Sequence, residues 1–398
     1  MITASERIGR LPGYPLAEIP AIKRRLLAAG VDVIDMGAGD SDARPPAPVI
    51  EALVEAMDGL RFHKYGFQQG LPEFREACSA FVERRFGHQF DPYREILPLI
   101  GSKEGLSHIP LSVCNPGDVV LVPEPGYQAY IGGALLSGAE PLICGLRPEN
   151  DFLLDWDSIP ASVLDRTGVV YLNYPNNPTA AVAPMEYLEK SVAMCRKHGI
   201  LLAYDNAYVD ITFDGYVAPS IFDVPDARDV AVEFLSLSKS YSMTGWRLGY
   251  AVGNADLIYG LTRVKSYVDT GPFLAIQKAG CTALERSEEF VAPVRDEFQR
   301  RRDAGVRALR EAGMEVESPK AAMYLWVALP AGVKSQPFAR RAMEETGAIV
   351  LPGAGFGPAG EGFFRIALTV PPDRLDEGVR RLGQVLADSS RDVLAPSP

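Results

Sequence analysis

The chain has 398 residues, 47% hydrophobic and 23% charged, enough to bury a core across one large and one smaller domain. A net charge of −11 argues against nucleic acid or anionic membrane as the main partner, since phosphates attract clustered Lys and Arg. No stretch approaches the ~18 consecutive apolar residues of a membrane span, and the first residues hold no apolar signal core, so a cytoplasmic location is expected. Cys78, Cys114, Cys144, Cys195 and Cys281 are scattered and form no C-x-x-C pair, which reads as free thiols in a reducing compartment.

In chain order, "GSKEG" at 101–105 precedes the helix-like "EGLSHIPLSV". A Gly-Ser turn leading into a helix presents free N–H groups and the positive end of the helix dipole, an anion site in the making. An ordinary N-cap by Ser102 is the plainer reading. From about residue 95 to 255, short apolar runs alternate with amphipathic ones. "DVVLVPEPGY", "GVVYLNYP", "ILLAYDNAY" and "VAVEFLSL" read as strands, and "MEYLEKSVAMCRKHG" reads as a helix. That alternation predicts an α/β domain around a mostly parallel sheet, with ligands at the carboxyl edge of its strands.

Polar motifs follow these runs. In "NYPNNPTA", Asn177 either donates to a ligand oxygen or belongs to a structural turn. In "AYDNAY", Asp205 ends an apolar strand, where an unpaired carboxylate is costly. It needs a cation, either a ligand or a structural arginine. Tyr208, three residues on, can face the same site. In "EFLSLSKSYSMTGWRLGYAVGN", Ser236, Ser238, Lys239 and Arg247 offer two hydroxyls, an amine and a guanidinium within a dozen residues. Hydroxyls and arginine suit a phosphate. A lysine beside such cationic charge and partly desolvated becomes nucleophilic toward a carbonyl. Phosphate grip, amine, buried carboxylate and tyrosine together suggest pyridoxal 5'-phosphate (PLP) held as a Schiff base.

From about residue 286 the texture changes. "SEEFVAPVRDEFQRRRDAGVRALREAG" predicts a long helix ending at glycine, followed by strands "MYLWVAL" and "FFRIALTV" and a last helix, "PDRLDEGVRRLGQVLADS". This reads as a smaller α+β domain. Arg365, within an apolar strand, wants a carboxylate, from a substrate or from a structural salt bridge. "GAGFGPAGEG" is not a dinucleotide loop, because Pro358 and a following strand leave no helix to receive a pyrophosphate. His63, His88, His108 and His198 lack paired metal-ligand spacing, so no metal is expected.

With these motifs in order, the chain resembles the class I/II aminotransferases of PLP fold type I, over nearly its whole length, from "VDVIDMGAGDSD" to "FFRIALTVPPDRL". "SLSKSYSMTGWRLGYAVGN" is highly specific for that family. "LPGYPLAEI", "GSKEGLSHIPL", "PEPGYQAY" and "NYPNNPT" look most like its LL-diaminopimelate aminotransferase group. The resemblance implies a large PLP-binding domain over 48–285 and a small domain from 1–47 and 286–398. Lys239 matches the Schiff-base lysine, and Asp205 matches the partner of the pyridine nitrogen. Tyr208 and Asn177 match the groups on the ring oxygen, and Tyr127 matches the aromatic residue stacked on the ring. Ser102, Lys103, Ser236, Ser238 and Arg247 fall at phosphate positions. Arg365 matches the grip on the substrate α-carboxylate, with Gly39 in a loop beside it. Tyr65 matches a tyrosine that reaches the partner subunit's phosphate, which implies a homodimer.

The implied activity moves an amino group between an α-amino acid and a 2-oxo acid, with glutamate and 2-oxoglutarate as one expected pair. A lyase, decarboxylase or oxidase of the same fold is the alternative, and a PLP-binding regulator is a third reading that lacks a helix-turn-helix. Ala180 stands where the family usually has glycine, Ser41 where it has proline, and "PKAAMYLW" where it has a glycine-bearing stretch. "FHKYGFQQG" also departs from the group's usual text. These positions bear on substrate choice.

Overall fold

The structure is a computed structural model and describes residues 3–13 and 19–394. The middle of the "LPGYPLAEI" motif and the terminal "APSP" lie outside the described residues.

Seven strands form the main sheet: β1 (Ile96–Leu99), β2 (Val119–Glu124), β3 (Glu140–Gly145), β4 (Thr167–Leu172), β5 (Leu201–Asp205), β6 (Ala231–Ser236) and β7 (Gly249–Gly253). Their spatial order is β1-β7-β6-β5-β4-β2-β3, with β7 antiparallel to both neighbours and the remaining pairs parallel. The fold is α/β around a mostly parallel sheet, as the alternating runs predict. The four strands predicted from apolar runs are β2, β4, β5 and β6. Period-two alternation divides β5 between two cores: Leu202 and Tyr204 pack on one face, Leu201 and Ala203 on the other. Asp205 continues that count onto the second face, beside Tyr130 and Tyr171.

The predicted helix after β4 spans Met185–His198 and stops at Gly199, whose φ of 67° closes it in the left-handed region. The long helix runs Ser287–Glu311. Its Arg301 pairs with both oxygens of Asp42, at 2.8 and 2.9 Å, and so fastens the loop that follows Met36. A second sheet of three antiparallel strands, β8 (Tyr324–Ala328), β9 (Leu351–Pro352) and β10 (Phe363–Ala367), is ordered β9-β10-β8. Ile34–Asp35 pairs in parallel with Ala348–Ile349, which brings the N-terminal segment onto the C-terminal part of the chain. After Gly353 come two short turns and then β10, with no helix where a pyrophosphate would need one. All five cysteines are free; Cys78, Cys195 and Cys281 are buried. Among the described residues, no helix is long and apolar enough to cross a membrane.

Parallel strands β2, β4, β5 and β6 therefore release their chains at one edge. The segments beginning at Pro125, Asn173, Asn206 and Leu237 all leave that edge, and they carry most of the predicted polar residues.

Candidate active site

Asp205 closes β5 at 5% exposure. One carboxylate oxygen accepts the Tyr130 hydroxyl at 2.7 Å, and the other, Oδ1, has no partner. Burial pushes its pKa up to about 6, against the Tyr130 hydrogen bond and the Ala207 N–H, which pull it down. Among the described residues no arginine pairs with it, so a structural ion pair is not what holds Asp205. Tyr130 was not read from the sequence. It lies in the helix Gln128–Ser137 and stacks on Tyr171 at 4.5 Å. Asn173, also missed, donates to the Asp205 carbonyl at 2.7 Å and accepts the Asn177 N–H at 2.8 Å, joining two strand exits.

Lys239 sits in the short helix Leu237–Ser240, and its amine donates to the Gly39 carbonyl. Arg365 rises from β10 at 5% exposure and donates to the Gly37 carbonyl and to Asn177 Oδ1, both at 2.8 Å. Its Nε has no partner, and the guanidinium lies over the Tyr324 and Phe356 rings at 4.2 and 4.8 Å. Both hydrogen-bond partners are neutral, and among the described residues no carboxylate pairs with it, so the structural salt bridge is not what holds this arginine. Tyr208 shares a 2.8 Å hydrogen bond with Tyr324, and burial, reinforced by Tyr324, holds its phenol well above the usual range. A Cβ on Gly39 would lie 2.9 Å from the Tyr324 hydroxyl, so glycine is needed for this close approach. Tyr324 is a further residue that the sequence reading did not single out.

The predicted anion corner is assembled from three segments. The helix Ser102–Val113 is capped by Gly101, φ 70°, and Ser102 is its first residue; the expectation that Ser102 is the N-cap is corrected. A Cβ on Gly101 would overlap the Arg247 guanidinium, which places Arg247 against the start of this helix. Arg247 Nη1 bonds the Thr244 carbonyl at 2.8 Å. Ser236 caps the Lys239 helix by accepting the Ser238 N–H at 3.1 Å, and Ser238 is buried. The Lys103 ammonium lies 5.7 Å from the centre of the Tyr127 ring, and Tyr127 packs edge-on against Tyr130 at 5.9 Å. This corner presents the N–H groups of a twelve-residue helix, two serines and a guanidinium.

Tyr65 is not gathered with these residues. It is 75% exposed, and its ring contact is with Phe67 at 6.2 Å. The departures have local partners. Ser41 shares a 2.9 Å hydrogen bond with Ser242, tying the loop under Lys239 and Arg365 to the segment after Lys239. Ala180 is buried at φ 60°, and Ala322, in the "PKAAMYLW" stretch, has φ 66°, a region that favours glycine.

The family described as Aminotransferase class I and II matches residues 31–382. The chain belongs to this family. An LL-diaminopimelate aminotransferase of Aquifex aeolicus is 44% identical over 382 residues, covering 96% of this chain and 99% of the relative. Substrate-bound BacF from Bacillus subtilis superposes with a TM-score of 0.93 at 32% identity, covering 97% of this chain and 98% of BacF. A probable N-succinyldiaminopimelate aminotransferase of Thermus thermophilus gives 0.89 at 37% identity, covering 94% of this chain and all of that one.

As a class I and II aminotransferase, the chain is a PLP-dependent transaminase of amino acids and 2-oxo acids. Its residues fit that cofactor. Asp205 Oδ1 is a buried acceptor without a donor, as a protonated pyridine nitrogen requires. The Gly101–Arg247 corner suits a phosphate, and Lys239, in the helix that Ser236 caps, carries a primary amine.

Proposed function

We propose that this aminotransferase takes LL-diaminopimelate as amino donor and 2-oxoglutarate as acceptor. Support comes from relatives named LL-diaminopimelate aminotransferase at 44% and 45% identity over 96% of the chain. The observation that carries an α-amino acid substrate is Arg365, a buried guanidinium whose hydrogen-bond partners are all neutral. A planar α-carboxylate supplies the charge it lacks, through two parallel bonds.

In this reading Ser102, Lys103, Ser236, Ser238 and Arg247 hold the PLP phosphate, and Asp205 keeps the pyridine nitrogen protonated. Tyr127 covers the ring, and Tyr208 and Asn177 bond its oxygen. When bound, PLP supplies an electron sink for the charge left at the substrate Cα. Lys239 would hold the cofactor and, freed by substrate, would take the substrate Cα proton as general base and deliver it to the cofactor C4' as general acid. Tyr130 orients Asp205. Asn177 and Gly37 hold the Arg365 fork, and Gly39, beside the carboxylate, gives the Lys239 amine a resting acceptor. Residues 48–285 form the PLP-binding domain, and 1–47 with 286–398 form the smaller one.

The chain forms a homodimer in which Tyr65 reaches the partner's phosphate. Leu60, Tyr65, Phe67, Tyr267 and Val268 are each more than half exposed, an apolar surface unusual for a lone chain. Gly271 approaches the Phe67 carbonyl, which sets these segments side by side.

The test is a panel of amino donors, LL-diaminopimelate among them, each assayed with 2-oxoglutarate. Donor alone must convert PLP to its pyridoxamine form. Release of pyruvate without an acceptor identifies a lyase instead. Equal or better turnover of unrelated donors overturns the diaminopimelate assignment.

A further inference from the structure

Lys265 lies in the helix Ala255–Val268 and is fully buried. A buried ammonium persists only where hydrogen bonds and opposite charge compensate its lost hydration. Its Nζ donates to Glu104 Oε2 and to Asp269 Oδ1, each at 2.7 Å. Both acceptors hold backbone as well. Glu104 Oε2 takes the Ile100 N–H at 2.9 Å, and its Oε1 faces His108 Nδ1 at 3.2 Å. Asp269 Oδ1 takes the Gly271 N–H at 2.6 Å. Ile100 and Gly101 are the two residues before the helix that starts at Ser102, and Gly101 leaves the room that the Arg247 guanidinium fills. Gly271, φ 87°, is where a Cβ would lie 2.7 Å from the Phe67 carbonyl, in the loop that carries Tyr65. One ammonium thus ties together the turn beneath the anion corner and the turn beneath the Tyr65 loop.

Burial alone would push the Glu104 carboxyl up, but His108, Lys265 and the Ile100 N–H outweigh it, and the carboxyl lies below its ordinary range. The ligand atoms of Glu104, His108 and Asp269 all lie within 4.8 Å of one another, a grouping that resembles a metal site. The Lys265 ammonium already bonds two of the three, so the positive charge there belongs to the chain.

We propose that Lys265 is a positioning residue for the cofactor phosphate: through Glu104 it sets the backbone at Ile100–Ser102 against which Arg247 and the phosphate are seated. This rests on the phosphate assignment made above. Lys265 touches neither phosphate nor substrate; it acts by fixing the turn. The amino donor is gripped at Arg365, on a different sheet, so its binding is independent of Lys265.

The experiment follows PLP release from holoenzyme on dilution, by cofactor absorbance, beside KM and kcat at saturating PLP. Lys265→Met should release PLP faster by roughly tenfold or more, the loss of a charge-assisted hydrogen bond, with donor KM unchanged. Lys265→Arg should recover part of the retention. Glu104→Gln, close in shape and leaving Lys265 its Asp269 partner, should also release PLP faster; it carries the test if Lys265→Met does not fold. Wild-type PLP release from folded Lys265→Met, or from Glu104→Gln where Lys265→Met fails to fold, overturns the proposal. A rise in donor KM equal to the loss of PLP retention also overturns it, because that marks general loosening. Arg247→Ala separates the two readings. If it too leaves PLP retention unchanged, the phosphate assignment fails; if it alone weakens retention, only the role of Lys265 falls.

Discussion

Tyr130 donates to one oxygen of Asp205 at 2.7 Å and leaves the other oxygen without a partner in the interior. A half-satisfied buried carboxylate is costly when charged, and its raised pKa, about 6 against 3.8, expresses that cost. A protonated pyridine nitrogen on that oxygen, as proposed above, would offset the cost.

The sign of the pH dependence follows. The folded pKa of Asp205 is raised, so its favourable contribution is fully present below pH 3.8 and lost as pH rises through about 6. In cofactor-free protein, Asp205→Asn cannot ionise and escapes this loss. The stability of Asp205→Asn relative to wild type should therefore grow by about 3 kcal/mol between acidic and neutral pH. Urea unfolding of both proteins below pH 3.8 and again above pH 6 measures it, and a difference independent of pH would mean that Asp205 is not the group concerned. With PLP present the order should reverse, because only the carboxylate holds a protonated pyridine.

Arg247→Ala should weaken PLP binding by about 1.5–3 kcal/mol, the worth of a hydrogen bond to a charged group. Gly101→Ala should do much the same by a different route. Its Cβ would occupy the guanidinium's place, and its φ of 70° disfavours any side chain. Since both act on one contact, the double variant should lose far less than the sum. PLP titration of the four proteins gives the coupling directly; additive losses would separate Gly101 from Arg247.

Lys239→Ala should abolish turnover and the visible absorbance of the lysine-bound cofactor, while the phosphate corner still retains some PLP. The amine's partner is a backbone carbonyl of a loop, and the variant removes no buried ion pair, so circular dichroism should stay native. Near-normal turnover by this variant would remove the lysine from the reaction.

Sequence legibility followed one physical signal, a polar side chain where an apolar run ends. Asp205 after "LLAY", Lys239 after "EFLSLS" and Arg365 within "FFRIAL" stood out because burial of such groups demands a reason. Tyr130, Tyr324 and Asn173 carried no such signal, because tyrosines and asparagines near turns are ordinary. Their roles come from contacts across 75, 116 and 32 residues. Lys265 looked like any helical lysine, and only the tertiary fold shows its side chain enclosed. The Ser102 cap failed because Gly101 already adopts the capping position, which leaves Ser102 inside the helix. Strands β1, β3 and β7 were not named from the sequence. β1 is only four residues long, and β3 is an edge strand without a buried stripe.

The role proposed for Arg365 separates substrate from cofactor. Its two terminal nitrogens are splayed between Asn177 and the Gly37 carbonyl, and the ring of Tyr324 supports the plane from 4.2 Å. A lysine can satisfy one of those acceptors but not the planar fork. Arg365→Lys should keep the cofactor spectrum and PLP affinity, because no proposed cofactor contact except Asn177 touches it. It should lower kcat/KM for every amino donor by roughly ten- to a hundredfold, since all present the same α-carboxylate. An amine without a carboxylate should be a poor donor for the wild type and should lose little further in the variant. Steady-state kinetics over three donors of different side chain and one simple amine distinguishes the outcomes. Loss of PLP together with unchanged KM would make Arg365 a strut between Asn177 and the Gly37 loop, and the carboxylate anchor would have to be sought elsewhere.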